Sequence, residues 1–526
     1  MTKIAIIPDS GSSVAIPIVT EGDCFEAVLE GIAEVAGAEG ARQVRQTAVE
    51  VVQECINIYA VAFDRDDVGE KGTGLVSLPF KPSKNAQIAP RTNGLLYGRV
   101  QSGKTNVSIA TVALARENGF RCFVVLTSDN TWLGTQTARR FRDQLNFGGP
   151  KVVSWEDWKQ DPKGFGKKLR DYVTDADSGV VFVSTKNRSH LENLLEVLGA
   201  AGSQRVPTMI LDDEADNASL NTRQSKQAKD PSVDPSTIFS LIGGIRAALP
   251  NHVFLQVTAT PQSLLLQGLP HPSRPDFSVL SEPGDGYIGG RVFFEEGSKH
   301  VVCVDPTELD DLRTGKINPG DSWNMPKGLR LSVCCFLLGA ASKQITSGKL
   351  RSDVYSMLVH IDHRRVNHKT VAETLSSFLT ELDQALRDKR SKSQKKKVYR
   401  WLEKAHVELK RTEPKLQPID ELIDILEKRL RNTAPQVINA DNPRREPEYR
   451  PGLNVLVGGN RLGRGVTIQG LIRPPPFRWT PPSSKRYWRR PQWEKENEGP
   501  LQPSRRLKPS GSRRRLESPS ARSRAS

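Results

Sequence analysis

The chain has 526 residues, a formal net charge of +16 and six cysteines. Its length points to roughly three structural units. The cysteines at 24, 55, 122, 303, 334 and 335 lack metal-ligand spacing, which excludes a disulfide scaffold and fits reduced thiols in a cytoplasmic protein. No apolar run is long enough to span a bilayer, and Met1 to Pro17 lacks the basic start and cleavage site of a secretory leader. From Leu471 onward there are fifteen Lys and Arg against four Glu, a net +11, so only +5 remains for the body. The body is mildly basic rather than a saturated polyanion-binding surface.

Residues 1–85 carry Phe25, Val28, Leu29, Ile32 and Val35, then Val44, Val51, Val52, Cys55 and Ile56, at near-helical intervals. They are expected to form a pair of helices in an N-terminal accessory unit. Glycine and proline from Gly69 to Pro90 read as a linker.

Residues 86–275 alternate short apolar runs with helical candidates. Leu95 to Tyr97, Cys122 to Leu126, Val180 to Val183, Met209 to Leu211 and Val253 to Val257 are too apolar to alternate, as expected of strands buried on both faces of a parallel sheet. Helices are expected at Val107 to Glu117, Thr131 to Leu145, Leu191 to Leu198 and Ser236 to Leu249. In such sheets ligands bind at the carboxyl ends of the strands, and three motifs fall there.

The first is Gly98 to Thr105, GRVQSGKT, between a strand and a helix. This is the phosphate-loop pattern: its glycines let backbone N–H groups point at phosphate oxygens, and the following helix adds its positive end. Gly98, Gln101, Ser102, Gly103, Lys104 and Thr105 are the candidate ATP-binding residues. Lys104 would neutralise the terminal phosphates and Thr105 would hold Mg2+. The second is Asp212-Asp213-Glu214-Ala215-Asp216. Alone, such a cluster is equally a solvated helix cap; downstream of a phosphate loop, Asp213 reads as a metal ligand and Glu214 as the residue orienting the attacking water. The third, Thr258-Ala259-Thr260-Pro261, is by itself compatible with a plain turn, but its hydroxyls are candidates to couple phosphate state to a nucleic-acid side.

Residues 276–345 break the rhythm and are expected to be a β-rich insertion, with strands at Arg291 to Phe294 and His300 to Val304. Glu295, Glu296 and Lys299 lack the further Asp that a nuclease centre would need. The vicinal Cys334-Cys335 pair lies in the apolar run Leu331 to Ala341 and reads as core. A second lobe is expected over 346–470, starting with the strand Tyr355 to Val359. His360, Asp362, His363 and His368 follow it and read as surface or phosphate contacts rather than a metal site. Helical spacing at 370–386, 399–409 and 419–430 suggests an arm over 369–432, with a basic loop from Arg387 to Lys397 that is open to reading as a DNA contact or a linker. The strand Leu453 to Val457 ends in GGNRLGRGVT, 458–467, where Arg461 or Arg464 would reach the phosphates across the cleft.

GRVQSGKT, LDDEAD and TATP, in this order, resemble motifs I, II and III of the superfamily-two helicases. The longer strings NGLLYGRVQSGKT, ILDDEADNASLNT, QVTATPQSLLL and VGGNRLGRGVT resemble the Z1 domain family over about residues 90–470. The resemblance implies tandem RecA-like P-loop lobes, with parallel sheets covered by helices on both faces. It also implies an ATP- and Mg2+-dependent helicase or translocase acting on DNA, and the motif-V role of Arg464. Its setting would be a bacterial defence or restriction-like system, with a nuclease, methyltransferase or second ATPase subunit as partner. The endonuclease activity attached to the family has no cutting site visible in this sequence. A nucleotide-switched scaffold that binds DNA or protein without unwinding is the competing reading, separable by DNA stimulation of hydrolysis.

Residues 471–526 depart from the family: ten prolines and twelve arginines with almost no aliphatic pattern cannot support a core. They are expected to be a disordered basic tail, either genuine or an out-of-frame end that replaces the family's arginine-bearing helix. Without that helix, turnover is expected to be about a thousandfold slower, as for loss of an arginine finger.

Overall fold

The computed structural model describes residues 16–63, 92–220 and 234–459 apart from short interior stretches, together with 462, 468–472 and 477–478. Seven strands form the first sheet: β1 (Asn93–Gly98), β2 (Cys122–Thr127), β3 (Lys151–Ser154), β4 (Val180–Thr185), β5 (Thr208–Asp213), β6 (His252–Thr258) and β7 (Phe277–Ser281). All pairings are parallel, in the order β3-β4-β2-β5-β6-β1-β7.

The sequence dictates this sheet because its strands are apolar on both faces. Along β2, Phe123 and Val125 enter one core and Cys122, Val124 and Leu126 another. Helices must therefore cover both sides. On the first face lie α1 (Asp23–Phe63, broken at Gly37) and α2 (Lys104–Glu117). The second face is covered in part by α4 (Arg188–Ala201) and α5 (Thr237–Ala248), while α3 (Thr131–Gln144) sends Ala138 and Phe141 into the first core.

The described part of the N-terminal region is integral to this lobe's core. Val51, Val52, Cys55, Ile56 and Tyr59 are fully buried, and Tyr59 meets Phe120 edge-on at 5.7 Å. The break at Gly37, where φ is 77°, divides α1 into the expected two helices. Val35, expected on the apolar face, is instead 89% exposed just before the break.

The region 276–345 is more helical than its sequence suggested. Its first strand is β7, an alternating strand that pairs with β1. Gly290–Phe294 is a helix rather than a strand; a short apolar run does not by itself distinguish the two. Val302–Cys303 is a strand, β8, pairing with Phe477–Arg478. A helix over Pro306–Thr314 precedes α6 (Lys327–Ser347), in which Cys334 and Cys335 are buried as expected.

The second sheet contains β9 (Val354–Val359), β10 (Pro435–Ile438) and β11 (Gly452–Gly458), parallel in the order β10-β11-β9. On the free side of β9, Ser356 bridges Leu471, with Ser356 N–H donating to Gly470 O at 2.7 Å and Ile472 N–H to Ser356 O at 2.9 Å. Three helices, α7 (Arg365–Arg387), α8 (Lys392–Lys410) and α9 (Ile419–Arg429), pack with α6 into one core through Leu375, Phe378, Leu402, Leu422 and Leu426. They form the body of this lobe rather than an appended arm. Lys392 to Lys397, expected in a basic loop, begin α8; lysine is a good helix former, and Lys397 Nζ lies 5.0 Å over the Trp323 ring. Among the described residues no helix is long and apolar enough to cross a membrane.

Candidate functional site

Strands β5, β6 and β1 are neighbours, and their registers bring their carboxyl ends level. Tyr97 is opposite Thr258, and Val257 is opposite Asp213. The phosphate-loop sequence leaves β1, the acidic cluster leaves β5, and the two threonines leave β6 between them. Three segments spread over more than 160 residues of chain therefore meet along one sheet edge.

The loop has the shape its glycines allow. Gly103, with φ of 92°, caps α2 in a left-handed conformation, and Gln101 is also left-handed at 57°. A Cβ on Gly98 would stand 2.8 Å from Ser281 O and 3.1 Å from Ser102 Oγ. Lys104 Nζ donates to Arg99 O at 2.7 Å and to Gly98 O at 3.4 Å, so its ammonium lies back on the loop's own carbonyls. Burial lowers the Lys104 pKa from its ordinary value, while Asp213, Glu214 and Asp216 act to raise it. Thr105 follows in the first turn of α2, half-buried.

On the acidic side, burial pushes the Asp213 carboxyl above the usual range, opposed by Lys186 and then Lys104. Glu214 has φ of 52°, rare for a residue with a side chain, and its N–H donates to Asp213 Oδ1 at 3.1 Å. Asp216 is held by β6: Thr258 Oγ1 donates to Asp216 Oδ1 and Thr260 Oγ1 to Asp216 Oδ2, each at 2.6 Å. Thr260 N–H also donates to Thr258 Oγ1 at 3.0 Å.

The loop fits a magnesium-bound nucleoside triphosphate. Ser102 Oγ is buried and finds no hydrogen-bond partner, and the close approach at Gly98 leaves no room for a side chain. The N-terminus of α2 faces the loop. Among the described residues no three His, Cys, Asp or Glu side chains form a ready-made metal cage. A magnesium ion takes one or two protein oxygens and completes its shell with water and phosphate, and Thr105 and Asp213 are the oxygens that would serve.

Three contributors were not read from sequence. Lys186, just past β4, reaches the acid cluster and is 1% exposed. Arg140 of α3 donates to Asn106 Oδ1 at 2.7 Å beside Thr105, and Asp213 acts to raise its pKa against burial. Tyr287 donates its hydroxyl proton to Val100 O at 2.7 Å, with the Arg99 guanidinium 5.9 Å from its ring centre. A lysine ending an apolar strand was the visible sign of the first; the others depend on long-range packing. Arg461 and Arg464 lie outside the described residues, as do Glu295, Glu296, Lys299, Asp362 and His363.

The second lobe touches the first through Trp132 of α3, which packs with Ile438, Leu456 and Leu462. Asn130 caps that helix by accepting from Trp132 N–H at 3.1 Å.

Residues 328–474 match the Z1 domain family model, a shorter stretch than the sequence resemblance spans and one lying after the phosphate-loop lobe. Comparison with curated proteins finds no match. Among solved structures, the chain is similar to the Pyrococcus furiosus Hef helicase domain at 12% identity, covering 70% of this chain and 83% of that one, with a TM-score of 0.27. It is also similar to the DEAD-box helicase Mss116 bound to ssRNA and UDP-BeF, at 11% identity, 86% and 68% coverage and a TM-score of 0.31. RecG bound to a three-way DNA junction gives 15% identity, 80% and 50% coverage and a TM-score of 0.28.

Proposed function

We propose that this chain, whose residues 328–474 match the Z1 domain family model, is a magnesium-dependent ATPase of helicase or translocase type that remodels DNA. One observation carries the reading: Lys104 lies within electrostatic reach of Asp213, Glu214 and Asp216 at the level carboxyl ends of adjacent strands. A glycine-wrapped lysine facing strand-end acids is the arrangement that phosphoryl transfer uses, because that chemistry is mostly positioning and charge neutralisation.

In this reading the loop from Gly98 to Thr105, through its backbone N–H groups, and the Lys104 ammonium bind the phosphates. Thr105 and Asp213 hold the metal. Glu214 orients or deprotonates water. Thr258 and Thr260 carry the state of Asp216 to the nucleic-acid side, and Arg464 senses the phosphates from the second lobe. Bound Mg2+ and ATP supply the scissile phosphoanhydride and the metal charge that offsets its negative oxygens.

DNA cutting is assigned to a partner subunit, since the sequence carries no convincing cutting site. The setting we propose is a cytoplasmic defence or restriction-like system, with a nuclease, methyltransferase or second ATPase as companion.

The test is steady-state ATP hydrolysis with single- and double-stranded DNA, comparing the chain with Lys104→Ala. Slow hydrolysis raised by DNA and abolished by the substitution supports the motor. Nucleotide binding without DNA stimulation favours a switched scaffold, and no affinity for magnesium and ATP overturns both.

A further inference from the structure

We propose that Lys186 is a positioning residue of the hydrolytic centre, fixing the backbone of the acid turn from beneath. The proposal rests on the ATPase reading above for its consequence in catalysis, but its structural content stands on the contacts alone.

Lys186 Nζ lies 2.9 Å from Asp212 Oδ1, 2.7 Å from Asp213 O, 3.0 Å from Glu214 O and 3.0 Å from Ser219 Oγ. Ser219 Oγ in turn donates to Asp212 Oδ1 at 2.9 Å. Both charged side chains of the pair are 0% exposed. An ammonium has three protons, and here four oxygens share them.

A counterion for Asp212 would need only the first of these contacts. Two of the others go to the carbonyls of Asp213 and Glu214, the residues whose carboxylates are assigned to metal and water. Asp213 O and Glu214 N–H belong to the same peptide unit. Lys186 holds its oxygen, while the Asp213 carboxylate accepts from its N–H at 3.1 Å. Glu214 O and Ala215 N–H belong to the next unit, which Lys186 holds at the oxygen while Val257 O of β6 accepts from the N–H at 3.1 Å. Two consecutive peptide planes are thus gripped from both ends. This is what keeps Glu214 left-handed, a conformation that persists only where surrounding contacts impose it.

Lys186→Met alone would strand Asp212 as a buried unpaired charge, so the decisive variant is Lys186→Met with Asp212→Leu, which removes the pair together. Three quantities are read on the full chain: Tm, affinity for a fluorescent ATP analogue with magnesium, and kcat. With the pair replaced by apolar groups, Tm is expected to stay within a few degrees and affinity within about threefold, while kcat falls about a hundredfold, the effect of misplacing a reacting group by about an ångström. An unchanged kcat overturns the proposal and leaves Lys186 a mere counterion.

Amide hydrogen exchange without nucleotide separates this from failure of the ATPase reading. The Glu214 and Ala215 amides should exchange at least about tenfold faster in the double variant, with β5 protection unchanged. Equal exchange overturns the positioning role even if hydrolysis is never detected. Should the double variant not fold, Lys186→Gln, which retains a donor, is the substitute. A kcat drop of about tenfold at unchanged affinity supports the role, and wild-type kcat and exchange overturn it.

Discussion

Thr260 Oγ1 donates to Asp216 Oδ2 at 2.6 Å, tying the residue two past the end of β6 to the last acid of the turn that leaves β5. Thr258 donates to the other carboxylate oxygen, so both oxygens of Asp216 are bound from the end of β6 and the turn that follows it. Hydrogen bonds to a charged acceptor contribute about 1.5–3 kcal/mol each. Replacing both threonines by alanine is expected to leave basal ATP hydrolysis within about fivefold and to remove its stimulation by DNA, because the side-chain link from Asp216 to the end of β6 is gone while Lys104, Asp213 and the backbone link from Ala215 to Val257 stay. Stimulation of wild-type size in the double variant would refute the coupling role.

Glu214 joins a proposed role in hydrolysis and backbone strain in one residue. Glu214→Gln is expected to lower kcat by at least about a hundredfold with nucleotide affinity retained, since the lost group acts on the water rather than the phosphates. Glu214→Gly should also lose hydrolysis, yet raise stability by up to about 1 kcal/mol, because glycine adopts φ of 52° without strain. Thermal melting of the two variants checks this; a glycine variant less stable than the glutamine one contradicts the strain.

Gly98→Ala tests how tightly the loop is seated. The added Cβ would meet the Ser281 carbonyl of β7 at 2.8 Å, a backbone atom that cannot swing aside. Overpacking of this kind costs about 1–3 kcal/mol, and the displaced loop should weaken nucleotide binding at least about tenfold. Isothermal titration with a nonhydrolysable analogue measures the second effect, and wild-type affinity would mean that the loop has slack.

His252, at the opposite end of β6, makes the first lobe acid-sensitive. Burial, then the neighbouring Arg246, hold its pKa down at about 3 against an ordinary 6.5. Its Nε2 accepts from Arg246 Nε at 3.1 Å, so Nδ1 is left to donate to Leu249 O at 2.6 Å, and the ring is neutral in the folded chain. Below about pH 6.5 the unfolded chain takes up a proton that the folded one refuses. The contribution is therefore intact above pH 6.5 and lost progressively as pH falls toward 3, by about 3 kcal/mol at pH 4. Denaturant melts of wild type and His252→Asn should converge in slope against pH over that interval only if this histidine is not the cause.

What sequence made legible was what is written locally. The runs that became β1, β2, β4, β5, β6, β9 and β11 are apolar on both faces, and the loop, acid and threonine motifs follow three of them directly. Strands β3, with only its last two residues buried, and β10, four residues starting at a proline, carry too little apolar pattern to announce themselves. β7 lies beside a proline-rich stretch that masks it. Lys186 was harder to read for a different reason: its place after an apolar strand is the one local sign, while its partners lie 26 to 33 residues away and its meaning comes from complete burial, which no local pattern specifies for a lysine.

The apolar seam at Trp132 sets a scale for movement between the lobes. Burying one tryptophan against Ile438, Leu456 and Leu462 contributes about 2–3 kcal/mol. A ligand shifts such an equilibrium only by its differential affinity, and a few kcal/mol of difference suffices to break or make a seam of this size. Trp132 and Arg140 lie eight residues apart on α3, about 12 Å along a rigid rod. One end is glued to the second lobe, and the other is fastened to Asn106 beside the phosphate loop. Parting the lobes would therefore pull through α3 on Asn106 beside the loop, and a nucleotide seated there as proposed would push back on the seam with equal thermodynamic force.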